Sequence, residues 1–242
     1  MKTIVKKILA WIKAPDGRYL DYPNWLRKRG IKVGKNVRFR YPQHTVIDLN
    51  RPTMIEFGDN LDINDNFTVL THDFGTYVFR NLYHDFVNCC RPVKVGSNIV
   101  IGRDVTILGG GSIGDNSIVA LGSLITKPMP PNSVICGRPA KVMCSIDEYY
   151  IKRKSLQIQE AIDYGISIIE RKGRDPIIED FPEEWVLFLT KEEYESNTIV
   201  KNNVDFRMSK YLDEFFLSMK PFNGFLEFKN SIIKAYNERM MK

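Results

Sequence analysis

Histidine is scarce in this chain. Only His44, His72 and His84 occur among 242 residues, so any chemistry that needs an imidazole has three candidates. Cysteine is nearly as sparse. Cys89 and Cys90 are adjacent, and Cys136 and Cys144 stand apart from them. That spacing matches no zinc motif. With no secretory signal pattern it also argues against a disulfide framework, which leaves a reduced, cytoplasmic protein as the expectation. Long hydrophobic runs are missing too. The basic, amphipathic segment Lys2–Lys13 is too short to span a bilayer and poor as a signal peptide. It reads as a helix that closes one end of the fold, with a membrane-surface helix as the alternative. No nucleic-acid motif and no regularly spaced aromatic residues accompany the positive charge.

What is present is a period. Val95, Ile101, Ile107, Ile113, Val119 and Ile125 stand six apart without a break, and Gly or Ala often follows. An amphipathic helix would place apolar residues at i, i+3, i+4 and i+7, and a half-buried strand would alternate. A strict six instead indicates a hexapeptide repeat and a parallel β-helix. Three hexapeptides make one turn, so equivalent residues return every eighteen positions, and the aliphatic residue points to the axis. The small residue beside it sits where a Cβ would crowd. Asn98, Asp104, Asp115 and Asn116 suit the following turns. The same phase holds at Val33, Phe39, Phe57, Ile63 and Val69. Val46, Ile47 and Ile55 are candidate rungs around an insertion near Arg51 and Pro52. Between Val69 and Val95 the period fails, and residues 75–92 read as a loop thrown out of the coil, of a length that is usually functional.

The expected organisation has three parts: an N-terminal helical cap over 1–32, the β-helix over 33–145 and an α-helical extension over 146–242. Tyr22–Gly30 reads as a short helix stopped by Gly30. Ser145 to Glu148 reads as a capping box opening a helix that ends near Gly173 and Pro176. A looser region follows over Pro182–Lys201, then helices near Asp205–Met219 and Gly224–Met241. Charge divides along the same line. Residues 1–145 carry 20 Lys/Arg and 11 Asp/Glu, and residues 146–242 carry 15 and 18. A basic coil favours an anionic ligand, and without nucleic-acid features a phosphate-bearing small molecule fits best.

His72 lies in the last rung before the excluded loop, and His84 lies within it. A histidine is the natural general base near neutral pH. On position alone His72 reads equally as such a base on a rigid face or as a polar turn residue. Asp73 and Asp85 could orient the imidazole, as could a backbone carbonyl.

The run Ile101-Gly102-Arg103-Asp104-Val105-Thr106-Ile107, then Ile113-Gly114-Asp115-Asn116, Leu121-Gly122-Ser123-Leu124-Ile125-Thr126-Lys127-Pro128 and Cys136-Gly137-Arg138-Pro139-Ala140-Lys141-Val142, resembles the hexapeptide-repeat acyltransferases. The branch indicated is that of the xenobiotic, maltose/galactoside and capsular-polysaccharide O-acetyltransferases. The resemblance implies a left-handed coil, a homotrimer, and acetyl-CoA in the groove between neighbouring coils. It implies a catalytic histidine at the root of the excluded loop, which His72 matches, with His84 the other candidate. It implies contacts to CoA from Leu121, Ser123, Thr126, Lys127 and Lys141, with Arg138 suited to phosphate. A backbone N–H of Gly102–Arg103 is the expected oxyanion donor. The acceptor would be a sugar or polysaccharide hydroxyl, or an amino-sugar nitrogen. No metal is expected.

Two departures stand out. Relatives often carry Trp-Ile-Gly where this chain has Val100-Ile101-Gly102, and Phe74, Tyr77, Phe79, Tyr83 or Phe86 could supply the missing ring. Leu121 replaces a small residue. Two other readings compete. A γ-class carbonic anhydrase would need a His-x4-His pair that is absent. A non-catalytic trimeric scaffold would not bind CoA.

Overall fold

The computed structural model describes residues 18–241. The segment Lys2–Lys13 lies outside the described residues. The chain divides into two compact units, up to Tyr150 and from Ile151.

The first unit opens with helix α1 (Tyr22–Arg27), whose N-cap Asp21 accepts the Asn24 N–H at 3.1 Å. Gly30 takes φ +91° just beyond it, a left-handed value that costs glycine least. Tyr22, Trp25 and Leu26 bury themselves with Ile31, Val33 and Phe39 in the core of the coil.

The coil then makes four full turns and begins a fifth. The first turn holds β1 (Lys32–Val33), β2 (Val37–Phe39) and β3 (Val46–Ile47). The second holds β4 (Ile55–Phe57), β5 (Leu61–Ile63) and β6 (Thr68–Leu70). After β6 the chain leaves the coil and forms helix α2 (Thr76–Tyr83), with no buried side chain, before rejoining at β7 (Val93–Val95). The sequence reads this excursion only as a loop; its helix is a finding of the structure. The third turn continues with β8 (Ile99–Ile101) and β9 (Thr106–Leu108), and the fourth comprises β10 (Ser112–Ile113), β11 (Ser117–Val119) and β12 (Leu124–Ile125). Last come β13 (Pro128–Met129), β14 (Ser133–Gly137) and β15 (Ala140–Ser145).

Successive turns stack as three parallel sheets, β1-β4-β7-β10-β13, β2-β5-β8-β11-β14 and β3-β6-β9-β12. This is the left-handed parallel β-helix that the resemblance implies. Only β15 runs antiparallel, against β14. The register shows the period directly: Ser112 lies over Lys94 and Ile107 under Ile125, each eighteen residues apart.

All six aliphatic residues of the repeat are buried, none more than 2% exposed. Each contributes about 1.5–3 kcal/mol, and the stack builds one continuous core. The corners work as expected. A Cβ on Gly58 would lie 2.5 Å from the Gly96 carbonyl oxygen, and one on Gly102 would lie 2.6 Å from the Leu121 nitrogen. Asn36, Asn60, Asn66, Asn98, Asp104, Asn116 and Asn132 all take φ between 54° and 58°. Several of these Asn side chains also bond to one another across turns, as in Asn98 to Asn116 (2.9 Å) and Asn116 to Asn132 (3.0 Å).

Helix α3 (Ile146–Lys172) begins at the expected capping box. Ser145 Oγ accepts the Glu148 N–H at 3.1 Å and Glu148 Oε2 accepts the Ser145 N–H at 2.8 Å. The second unit continues with α4 (Lys191–Ser196), α5 (Thr198–Met208), α6 (Leu212–Leu217) and α7 (Phe225–Met240). The region expected to be loose thus contains α4 and the start of α5, and the single helix expected over Asp205–Met219 is broken between Met208 and Leu212. An aromatic core holds this unit together: Phe188 stacks on Phe228 at 4.8 Å, and Trp185 meets Phe215 edge-on at 5.3 Å. Asp180, nearly buried, binds Arg174, Lys172 and the Ile177 N–H. Among the described residues no helix is long and apolar enough to cross a membrane.

Candidate functional site

The corner where the third sheet ends and the first begins carries the candidate chemistry. Asp48 leaves β3 there, and Thr71 and His72 leave β6 one turn above. Val46 pairs with Thr68 and Ile47 with Val69, so Asp48 falls beneath this corner. Its carboxylate is almost fully buried and accepts four hydrogen bonds. Thr71 donates from N (3.1 Å) and from Oγ1 (2.5 Å), Asn50 from N (3.0 Å), and His72 from Nδ1 (2.5 Å). Burial alone would raise the Asp48 pKa; the bonds from Thr71, His72 and Asn50 outweigh it and hold the acid at about 2. Asp48 is therefore ionised and can only accept. The ring nitrogen that faces it, Nδ1 of His72, therefore carries a proton.

His72 is 14% exposed at its side chain and packs edge-on against Phe74 at 5.3 Å. It opens into a cleft of about 350 Å³ lined also by Arg51, Asp73, Tyr77, Arg80 and Phe86. The Arg91 N–H donates to the Thr71 carbonyl at 2.9 Å and closes the base of the excursion. An imidazole oriented by a buried carboxylate at the root of an extruded segment, lining a cleft with aromatic walls, has the geometry of a general base for a bound hydroxyl or amine.

The other expected catalytic residues are placed differently. Asp73 does not orient the imidazole; that carboxylate is Asp48. Asp73 lines the cleft and accepts the Gly75 N–H at 2.9 Å. His84 caps the end of α2 in a left-handed conformation, exposed and outside the residues lining the cleft. Asp85 is exposed on the same excursion.

Apart from Lys141, the residues expected to bind CoA or to supply the oxyanion donor fall on two corners, one at each edge of the third sheet. Thr126 and Lys127 follow β12 on the corner of His72, two turns above it, which is roughly 10 Å at the usual strand spacing. Gly102, Arg103, Leu121 and Ser123 precede β9 and β12 on the opposite corner. Arg138 joins that corner by donating to the Gly122 carbonyl at 3.4 Å. Leu121 is 73% exposed there. Lys141 is exposed on β15.

Two side chains and one backbone donor are already engaged. Ser123 is buried and its hydroxyl donates to the Ala120 carbonyl at 2.7 Å, so only its backbone could meet a ligand. Arg103 pairs with Asp65 at 3.0 Å, and Asp65 also holds His44 Nδ1 at 2.6 Å. The Gly102 N–H donates to the Val119 carbonyl at 2.8 Å, so it is not a free oxyanion donor. Among the described residues no group of three or more His, Cys, Asp or Glu side chains is placed to hold a metal ion. His44 and His72 belong to separate corners and separate carboxylates.

The sequence reading missed Asp48, Arg51 and Arg80. The signal for Asp48 and Arg51 lay in counting register across the insertion after β3. Arg80 became visible only with the helix that carries it.

Comparison with known proteins relates the chain to acetyltransferases. Protein CapG of Staphylococcus aureus is 36% identical over 139 residues, covering 57% of this chain and 77% of that protein. Galactoside O-acetyltransferase of Escherichia coli (strain K12) is 32% identical over 147 residues, covering 59% of this chain and 66% of that one, just under two thirds of its length. Among solved structures, a maltose O-acetyltransferase from Clostridium difficile 630 aligns at 27% identity with a TM-score of 0.37, over 50% of this chain and 72% of that one. No family model matches the chain.

Proposed function

The chain belongs to the hexapeptide-repeat acetyltransferases, and from that premise we propose that it transfers an acetyl group from acetyl-CoA to a hydroxyl of a sugar or polysaccharide, with His72 as general base. The observation that carries this reading is the hydrogen bond from His72 Nδ1 to Asp48 Oδ2, at 2.5 Å, on a histidine that lines the cleft, so that Nε2 is the ring nitrogen left for an acceptor.

His72 Nε2 takes the proton of the acceptor hydroxyl as its oxygen attacks the thioester carbonyl. The tetrahedral intermediate collapses with cleavage of the carbon–sulfur bond, and the proton returns from His72 to the departing thiolate. Asp48 stabilises the imidazolium in between. No acyl-enzyme is required, because both substrates are aligned for direct transfer.

The two corners support a homotrimer. Lys127 shares an edge with His72, while Leu121 and Arg138 stand on the other edge of the same sheet. A groove between neighbouring copies would bring one edge of each together and line it with Lys127, Arg138 and Lys141 for the phosphates of CoA. Light scattering of the purified protein should give three times the 28.1 kDa chain mass. A cytoplasmic location is part of this reading, resting on the cysteine spacing, which suits no disulfide framework.

Free-thiol release from acetyl-CoA, measured with and without sugar acceptors, tests the reading. His72→Ala should lower acceptor-dependent turnover by about 10²-fold or more, the range for loss of a general base. Near-normal transfer by that variant would remove His72 from the mechanism. If the protein neither releases thiol nor gains thermal stability from CoA, the scaffold reading replaces catalysis.

A further inference from the structure

The cleft in front of His72 contains two cations that the transfer reaction does not use. Arg51 follows the Asp48–Asn50 turn, and Arg80 projects from α2; both line the cleft. Several other arginines of the coil have acidic partners. Arg38 and Arg40 bind Asp62, and Arg103 binds Asp65. Among the described residues neither Arg51 nor Arg80 forms an ion pair. Asp73 is the acidic residue lining the cleft, and one of its oxygens is engaged by the Gly75 N–H. Two arginines against one aspartate give the lining a net positive charge. Arg80 lies over the Tyr77 ring at 5.6 Å, and Phe74 and Phe86 are largely exposed beside it.

Two guanidinium groups without carboxylate partners, around one concavity, are an anion site: each offers a fork of donors that matches a carboxylate or phosphate. Exposed aromatic faces beside them suit the apolar face of a sugar ring. Resting on the acetyl-transfer reading above, we propose that the acceptor is an anionic saccharide, its ring carboxylate or phosphate ester held by Arg51 and Arg80 while a hydroxyl of the same or the adjoining ring meets His72. Neutral hexosides would then be poor acceptors, although two of the three relatives named above are a galactoside and a maltose acetyltransferase.

The test compares methyl glucuronide, glucose 6-phosphate and methyl glucoside as acceptors at saturating acetyl-CoA. The two anionic sugars separate carboxylate from phosphate recognition. At least one should exceed the neutral sugar in kcat/KM by about tenfold or more. Arg80→Gln, on an exposed helix, and Arg51→Gln should each erase most of that advantage while the KM for acetyl-CoA stays within about twofold. A neutral sugar that performs as well as both anions overturns the proposal, and so does a loss in the variants that falls on acetyl-CoA instead. Saturation-transfer NMR of the same sugars separates this inference from the catalytic reading. Arginine-dependent binding of an anionic sugar without transfer supports the site while removing acetyl transfer. Equal binding of charged and neutral sugars overturns the site.

Discussion

Replacing Asp48 by Asn isolates the role of the buried carboxylate while leaving its shape intact. In the native site the carboxylate holds the Nδ1 proton of His72 at 2.5 Å, with both side chains largely withdrawn from water. As the base takes up a proton, the pair becomes imidazolium and carboxylate. A hydrogen bond to a charged partner contributes about 1.5–3 kcal/mol, or roughly 10–150-fold in rate at 1.36 kcal/mol per decade. The amide adds a second effect. If its NH₂ turns toward His72, it donates to Nδ1 and moves the proton to Nε2, where the base must be empty. The combined expectation is a fall in kcat of about 10²–10³, with the KM for acetyl-CoA within about threefold. Steady-state thiol release measures the first. Imidazole ¹⁵N shifts measure the second, and should show the proton leaving Nδ1 in the variant. Native-like kcat with an unchanged tautomer would refute the assignment of Asp48 as the positioning residue of His72.

Asp48 also links stability to pH. Its acid is held at about 2, below the ordinary 3.8. The stabilisation is therefore complete above about pH 4 and is lost as pH falls through 2; allowing for solvent screening it is about 1–2 kcal/mol. Urea unfolding of Asp48→Asn and wild type should differ at pH 7 and converge toward pH 2; a gap that widens on acidification would contradict this sign. Gly102→Ala should destabilise by about 1–3 kcal/mol, because the new Cβ would meet the Leu121 nitrogen at 2.6 Å and the neighbouring backbone cannot yield freely; an unchanged melting temperature would show that the turns slide more easily than the stacking implies. Ile107→Ala, at a fully buried rung, should cost about 2–5 kcal/mol, read from the denaturant midpoint, and a loss below 1 kcal/mol would mean that the turns above and below collapse into the space.

The coil was legible because its determinants are local and repeat. An aliphatic residue, a small residue and a left-handed Asn or Asp recur within six positions, so every turn restates the same geometry, and the pattern from Val95 to Ile125 reports it without help from elsewhere. The helical unit was less legible, for instructive reasons. Thr190 and Glu193 form a capping box, with Thr190 Oγ1 accepting the Glu193 N–H at 3.2 Å, yet the short helix they start has too few periodic apolar positions to stand out. The break between Met208 and Leu212 contains neither Gly nor Pro, so no residue there announces a stop. The helix α2 in the excursion hides in the same way: none of its side chains is buried, so no core-facing stripe calls for a helix.

His72 was legible and its partner was not, and the difference follows from how a coil counts. In the regular part of the molecule the residue under any position lies eighteen places earlier, as Ser112 over Lys94 shows. Across the excursion the separation is 38, as between Thr68 and Thr106, so the detour adds twenty residues. Below His72 it is neither. Val46 lies under Thr68, twenty-two places away, because the short helical turn at Pro52–Met54 inserts four residues into that circuit. A search for a carboxylate at the regular spacing lands on Met54. The neighbouring acid in sequence, Asp73, then becomes the default, although its side chain serves the Gly75 turn. Once the four-residue insertion is counted, position 48 falls directly under position 70, and the aspartate there is within reach of Thr71 and His72. The same correction places Arg51 at the cleft. The insertion near Arg51 and Pro52 thus does for the lower turn what the long excursion does for the upper one. Each interrupts the period on the same corner, and that corner gathers His72, the carboxylate that binds its Nδ1, and the two arginines that line the cleft.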